Sequence, residues 1–384
     1  MTKKIASFLL ALLTMGCREI YNPTFTSPET GYLVVEGIIN SGLEGTDIIL
    51  SRTTKLNDNT TKYESGAQAQ VEGDDNSVYY LTETSAGHYT AGNLGLNAQH
   101  KYRLHITSGA FEYVSDFEPV RYTPPIDSIS YKMENGGMQL YINTHDPANS
   151  TRYYQWLYDE TWEFHSQYYS ALKYDTTEIP GEEDDIHVVF KNLGTYGYDY
   201  SLFTCWQYSA STSLLLGSSA RLSQDAINLP LLFIPGGSIK LSVLYSVKVK
   251  QMSWTREGYE FLERMKKNTE ATGSLFDAQP SELNGNIHCV NNPSEPVIGF
   301  VNISNIDEKR IFIKSSDIDW EYRSGCFAVE IENISDSIKS KGGGLMPSLA
   351  TEGTPFAIDK FSASYPVCID CTLTGNNIKP DYWP

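Results

Sequence analysis

Short runs of alternating apolar residues, broken every few positions by Gly, Asn or Asp, leave the first third of this chain little choice but a β fold. In residues 31–39, Leu33, Val35 and Ile39 fall on one phase and Glu36 on the other. In residues 100–107, Tyr102, Leu104 and Ile106 share one side, and Arg103 and His105 take the opposite one. A period of two belongs to a strand with one buried and one wetted face. Similar runs occupy 47–52, 67–72, 77–83, 88–91 and 110–117, with turn residues between most of them. About seven strands in about 90 residues predict an immunoglobulin- or transthyretin-like β-sandwich over 31–122. Tyr122-Thr-Pro124-Pro125 ends the block. Adjacent prolines cannot continue a central strand, so the domain boundary is expected there.

Residues 126–384 read as a larger β-rich domain with one amphipathic helix. Nine aromatics crowd the 22 residues 153–174, and Tyr154, Trp156, Tyr158 and Trp162 are candidate binding aromatics. Tyr and Trp supply rigid amphipathic area for a small peptide or glycan, or simply fill a core. Residues 240–250 alternate cleanly through Leu241, Val243, Tyr245, Val247 and Val249. The helix is expected at 254–268, where Trp254, Phe261, Leu262 and Met265 form one stripe. Glu257 in its first turn and Lys266 and Lys267 in its last suit the helix dipole, with Gly273 as terminator. Strands return within 296–332. The acid-rich stretch 178–185 reads as a solvated loop, and 340–384 as irregular.

The start of the chain points to export. Lys3 and Lys4 precede an apolar run, 5–15, too short to span a bilayer, and Gly16-Cys17 follows directly. A small residue and a cysteine after such a run resemble a bacterial lipobox. The reading is a signal peptide over 1–16, lipidation at Cys17 and a tether over 17–30; the alternative is a plain secretory leader. The net charge of −18 becomes more negative by two once Lys3 and Lys4 are removed. That charge argues against nucleic acid as a partner and against charge-driven adhesion to anionic lipid. Acyl chains would carry the attachment.

Export permits disulfides. After Cys17, five cysteines remain, so at least one stays free or pairs between molecules. Cys326, Cys368 and Cys371 are the candidate disulfide cysteines. Cys368-Ile-Asp-Cys371 has redox spacing but lies in a Pro-, Gly- and Asn-rich tail without a second metal-binding pair, which favours structural bridging.

Catalytic signatures are absent from the sequence: no H-E-x-x-H, G-x-S-x-G, phosphate loop or dinucleotide fingerprint occurs. His100 and His105 stand on opposite strand faces. The acid groups around Glu72, Asp74 and Asp75 and around Glu182 to Asp185 lack calcium-loop spacing. No catalytic residue, metal or cofactor is expected.

A set of segments in fixed order carries a resemblance. It comprises Leu33-Val-Val-Glu-Gly37, Leu50-Ser-Arg-Thr53, Tyr80-Leu-Thr-Glu83, Gly87-His-Tyr89, Tyr102-Arg-Leu104 and Pro124-Pro-Ile-Asp127. It continues with residues 259–270, Gly273-Ser-Leu-Phe276, Gly285-Asn-Ile287, Arg310-Ile-Phe-Ile313, Cys368-Ile-Asp-Cys371 and Lys379-Pro-Asp-Tyr-Trp383. In this order the chain resembles the domain-of-unknown-function 4249 family, outer-membrane lipoproteins of the Bacteroidota. The resemblance implies a cell-envelope lipoprotein on either leaflet of the outer membrane, encoded beside TonB-dependent receptors and serving nutrient uptake. It implies no catalytic residues. The expected function is therefore a non-enzymatic ligand-binding or receptor-docking partner of such a transporter. Alternatives are a structural or adhesion lipoprotein without a small ligand, and a hydrolase using paired carboxylates.

Overall fold

A computed structural model describes residues 31–54, 60–176, 185–191, 199–270, 285–354 and 357–384. The leader, Cys17, the tether, Gly273 and nearly all of the 178–185 loop lie outside these residues.

The alternation in the first block becomes one antiparallel sheet. Its strands are β1 (Leu33–Asn40), β2 (Thr46–Arg52), β3 (Lys62–Tyr63), β4 (Gln68–Gly73), β5 (Val78–Ser85), β6 (His88–Ala91), β7 (Lys101–Ser108), β8 (Phe111–Ser115) and β9 (Glu118–Pro119). The main path runs β8-β7-β4-β5-β6-β2-β1 and curls on itself. Leu33, Val35, Ile48, Leu50, Val71, Tyr102, Leu104 and Ile106 all point into one core, as their period of two requires. Gly37 has φ +109°, and a Cβ there would meet the Asp47 carbonyl oxygen at 2.3 Å, so only glycine lets β1 approach β2 this closely. On the outer face Glu72 accepts from Arg103 at 2.8 Å and from Gln70 at 2.6 Å, and lies 2.6 Å from His105. Burial opposes ionisation of Glu72, but the hydrogen bonds from His105, Arg103 and Gln70 outweigh it and bring the carboxyl down to about 2.

The second block opens with β10 (Ile126–Glu134), β11 (Gly137–Asp146), β12 (Tyr153–His165), β13 (Leu172–Asp175) and β14 (His187–Phe190). It continues through β15 (Thr204–Ala210), β16 (Leu215–Ser218), β17 (Asp225–Pro235), β18 (Leu244–Ser253) and helix α1 (Arg256–Glu270). The sheet β10-β11-β17 packs on the sheet containing β15, β12 and β18. Met138, Leu140 and Ile142 from one layer meet Trp156, Trp162, Tyr245 and Val247 from the other. The block is thus a second sandwich. At its centre Gln251 is fully buried. Its carbonyl oxygen accepts from Trp156 Nε1 at 2.7 Å, and its amide donates to the Pro124 carbonyl at 2.7 Å and Thr144 Oγ1 at 3.0 Å.

After α1 the chain revisits the first sheet. β19 (Ile287–Cys289) pairs with β8, and β20 (Val297–Ile298) and β21 (Ile303–Ser304) pair in parallel with β1. β19 and β20 come into contact, so the sheet nearly closes. β22 (Ile306–Lys314) then joins β18 in the second sandwich. The expected 31–122 unit therefore takes three strands from 287–304. These strands are two or three residues long and show no period, and their role is to cover the exposed edges of β1 and β8.

The Pro124-Pro125 junction is a weld. Thr123 Oγ1 donates to the Asn305 carbonyl at 2.6 Å, accepts from Ser253 N at 3.0 Å, and Thr123 N donates to Asn305 Oδ1 at 2.7 Å. Helix α1 begins two residues after the expected start because Thr255 caps it, accepting from Gly258 N at 3.0 Å. Trp254, Phe261, Leu262 and Phe300 pack together beneath it, with Ile38 of the first sandwich and Tyr153 of the second alongside. No described helix is long and apolar enough to cross a membrane.

The stretch expected to be irregular, 340–384, contains two strands, β24 (Met346–Thr354) and β25 (Ala357–Ser364). With β23 (Val329–Glu332), which falls where strands were expected, and helix α2 (Ser335–Lys341), they join β13 and β14 around Leu172, Ile331 and Phe361. The β24–β25 ladder shifts register three times, which erases the period of two from the sequence.

Gln251→Leu leaves the Trp156 N–H without its acceptor and is expected to lower unfolding free energy by about 1–3 kcal/mol, read from urea denaturation. The depressed Glu72 carboxyl contributes stability that is present above the ordinary glutamate range and lost as pH falls from there toward about 2. Acid titration of Glu72→Gln should therefore lack part of the wild-type loss in that window, measured by thermal midpoint against pH.

Candidate functional site

Strand β12 turns its even-numbered side chains into the core, so its odd-numbered ones face outward. Asp159, Thr161 and Glu163 stand there, with Thr161 opposite Tyr208 and Glu163 opposite Trp206 on β15. The C-terminal segment crosses this face as a strap. Trp383 Nε1 donates to Glu163 Oε2 at 2.7 Å, and its ring meets Phe312 edge-on at 5.4 Å. The Tyr382 and Thr161 hydroxyls share a 2.8 Å hydrogen bond. The Arg310 guanidinium lies 3.9 Å over the Tyr382 ring, a cation–π contact.

Covalent bonds hold the strap. Cys205 of β15 pairs with Cys371, and Cys326 pairs with Cys368. The C-x-x-C therefore does not close on itself: Cys371 binds a partner 166 residues away, one that spacing alone gave no reason to choose. Cys289 is the free thiol among the described residues and is buried. Beside Cys205, Trp206 N donates to the Asn376 carbonyl at 2.7 Å and Asn376 N to the Trp206 carbonyl at 2.9 Å. The Gln207 side-chain amide donates to the Thr374 carbonyl.

Between β15 and the strap lies an open groove of about 600 Å³. Trp162, Trp206, Tyr208 and Tyr382 line it, together with the amides of Gln207 and Asn376. No charged side chain lines it, although the chain carries 47 acidic residues. Tyr208 is 63% exposed, and its hydroxyl donates to Asp159 Oδ1 at 2.7 Å. Local desolvation and this hydrogen bond push the phenol up to about 12, so it stays neutral. The indole N–H groups of Trp162 and Trp206 are buried without a partner.

The four aromatics singled out from sequence occupy different places. Tyr154 and Trp156 are fully buried and stacked at 5.7 Å, with the Tyr154 hydroxyl bonded to buried Asp225. They are core residues and present no ring to a ligand. Tyr158 is partly buried against the same core. Trp162 is 7% exposed, covered by the Lys240 ammonium at 4.9 Å, and borders the groove. The exposed rings of the site, Tyr208 and Tyr382, were missed. Alternation of Trp206 and Tyr208 was a usable signal; the approach of Tyr382, far along the chain, was not.

The other polar groups considered from sequence are engaged locally. His100 lies 2.8 Å from Asp74, Asp75 accepts from Ser77 N at 3.0 Å, and Glu72 is held as described above. Among the described residues, no group of three or more His, Cys, Asp and Glu is arranged to hold a metal.

A family model described as a domain of unknown function, DUF4249, matches residues 18–310. The chain is a DUF4249 protein. The matched span includes β15 and its groove face but stops before the strap, so the two walls of the groove differ in this respect. A search of curated proteins finds no match. Among solved structures, this DUF4249 chain shows a likeness to chitinase ChiA74 from Bacillus thuringiensis, at 15% identity over 54% of this chain and 30% of that one. The TM-score is 0.13, and the likeness carries no argument.

Replacing Cys205 and Cys371 together by serine removes a cross-link spanning 166 residues. The expected loss is about 2–5 kcal/mol of stability, read by denaturant titration under oxidising conditions. Near-ultraviolet circular dichroism should change as Tyr382 and Trp383 leave the sheet face.

Proposed function

We propose that this DUF4249 protein is a non-enzymatic accessory lipoprotein of the outer membrane, lipidated at Cys17 and working beside a TonB-dependent transporter in nutrient uptake. One observation supports a binding role above the others: the uncharged aromatic and amide groove on an otherwise acidic surface. Such a lining suits a neutral polar ligand, because aromatic rings give contact area while amides and hydroxyls give direction. Both walls are braced, one by the sheet and one by two disulfides, so little ordering entropy is lost on binding. The lipobox-like start supplies the anchor in this reading, and two or more acyl chains would make attachment stable.

The anchor is tested by Cys17→Ser. The wild-type chain should partition with outer membranes and incorporate labelled fatty acid, and the variant should lose both. Crosslinked purification from membranes should recover a TonB-dependent receptor with the wild type. Membrane attachment that survives the substitution, or intact uptake after deletion of the gene, would overturn the proposal.

A further inference from the structure

The groove follows a strand edge that the strap leaves unfinished. In an antiparallel ladder the backbone groups of alternate residues point to opposite edges. Trp206 exchanges both of its backbone hydrogen bonds with Asn376, away from β12. Tyr208 and Ala210 share its parity, so their N–H and C=O groups point the same way. Consistent with this, the opposite parity serves β12: Ser211 N donates to the Tyr158 carbonyl at 2.8 Å and Ser166 N to the Phe203 carbonyl at 2.9 Å. Outside the β12 pairing, Trp206 and Asn376 form the isolated bridge on this edge, and neither Tyr208 nor Ala210 has an outward backbone partner among the described residues. The strap pairs for one residue only, and the residues just before Asn376 form the short helix Cys371–Leu373 instead of extending the ladder. The groove opens beside the positions it leaves unpaired, since Gln207, Tyr208 and Ser209 all line it.

We infer that the groove accepts an extended, uncharged polypeptide segment that adds to the outer edge of β15 at Tyr208 and Ala210, continuing the pairing begun by Asn376. This rests on the reading of the groove as a binding site and names its ligand class. A strand edge offers donors and acceptors at fixed alternating spacing, which is the complement of another extended backbone. The bridge to Asn376 demonstrates, within the molecule, that this edge accepts one. The absence of charge from the lining selects a neutral segment, because a charge placed among these rings would lose hydration without a counter-charge. Nearby Asp159, Glu163 and Arg310 are already occupied by Tyr208, Trp383 and Tyr382. Tyr208 and Tyr382 would take alternate side chains of the added segment.

The test selects a random ten-residue peptide display library against the full mature chain and, in parallel, probes an array of neutral oligosaccharides. Enriched peptides should be uncharged with alternating apolar positions. Their binding should weaken at least tenfold in Ala210→Pro, which removes one outward N–H and leaves the β12 ladder intact. As an independent readout on the wild-type chain, the Tyr208 and Ala210 amides should exchange rapidly when free and become protected in the peptide complex. Binding that is indifferent to Ala210→Pro, with no protection of those amides, overturns edge addition while the groove remains a site. Oligosaccharide binding at the groove without peptide enrichment likewise overturns the ligand class alone. Failure of both libraries overturns the inference and the binding reading together.

Discussion

A single buried amide sets much of the arrangement. Gln251 lies between the two layers of the second sandwich and uses three of its hydrogen bonds at once, to Trp156, Thr144 and the Pro124 carbonyl. A buried amide that fails to find partners costs about as much as several good contacts contribute, so the three partners have to converge. Trp156 fixes β12, Thr144 fixes β11, and Pro124 fixes the crossing from the first sandwich. The outward face of β12, where the groove lies, inherits its position from that convergence.

The same logic joins the two sandwiches. Thr123, Ser253, Asn302 and Asn305 form a buried hydrogen-bonded seam, and α1 packs across it with Ile38 on one side and Leu157 on the other. Strands β19 to β21 complete the first sheet from far along the chain. The two blocks therefore share a polar seam, an apolar helix and a sheet. A groove at the far edge of such a welded body sits on a rigid platform, whereas its opposite wall is an irregular strap that needs disulfides to stay in place.

Most strands of the first sandwich were legible because apolar residues recur at a period of two, most cleanly in β4 and β7. The helix was legible from its stripe, with its start shifted by the Thr255 cap. Where the period broke, legibility broke with it. The shifted registers of β24 and β25 carry no period to read, and the strands expected within 296–332 gave no sign that β20 and β21 pair with β1. The aromatics of β12 were visible as a group, yet alternation says only that Tyr154, Trp156 and Trp162 share a face, not whether that face meets another sheet or solvent. The β10-β11-β17 layer decided it, turning the richest aromatic strand into core and leaving Tyr208, on a plainer strand, exposed.

By itself the amino-acid sequence determined a mainly β chain, a first sandwich, one amphipathic helix, an acidic surface and membership of a family without an established activity. These follow from local periodicity, composition and ordered motifs, all of which survive reading one residue at a time. Only the tertiary structure decided which cysteines pair, which strands complete the first sheet, which aromatics remain in water and where an unfinished strand edge meets a neutral groove. Each of those is a property of residues tens to hundreds of positions apart, and no local pattern encodes the closure that brings Cys371 to Cys205 or Tyr382 to Thr161.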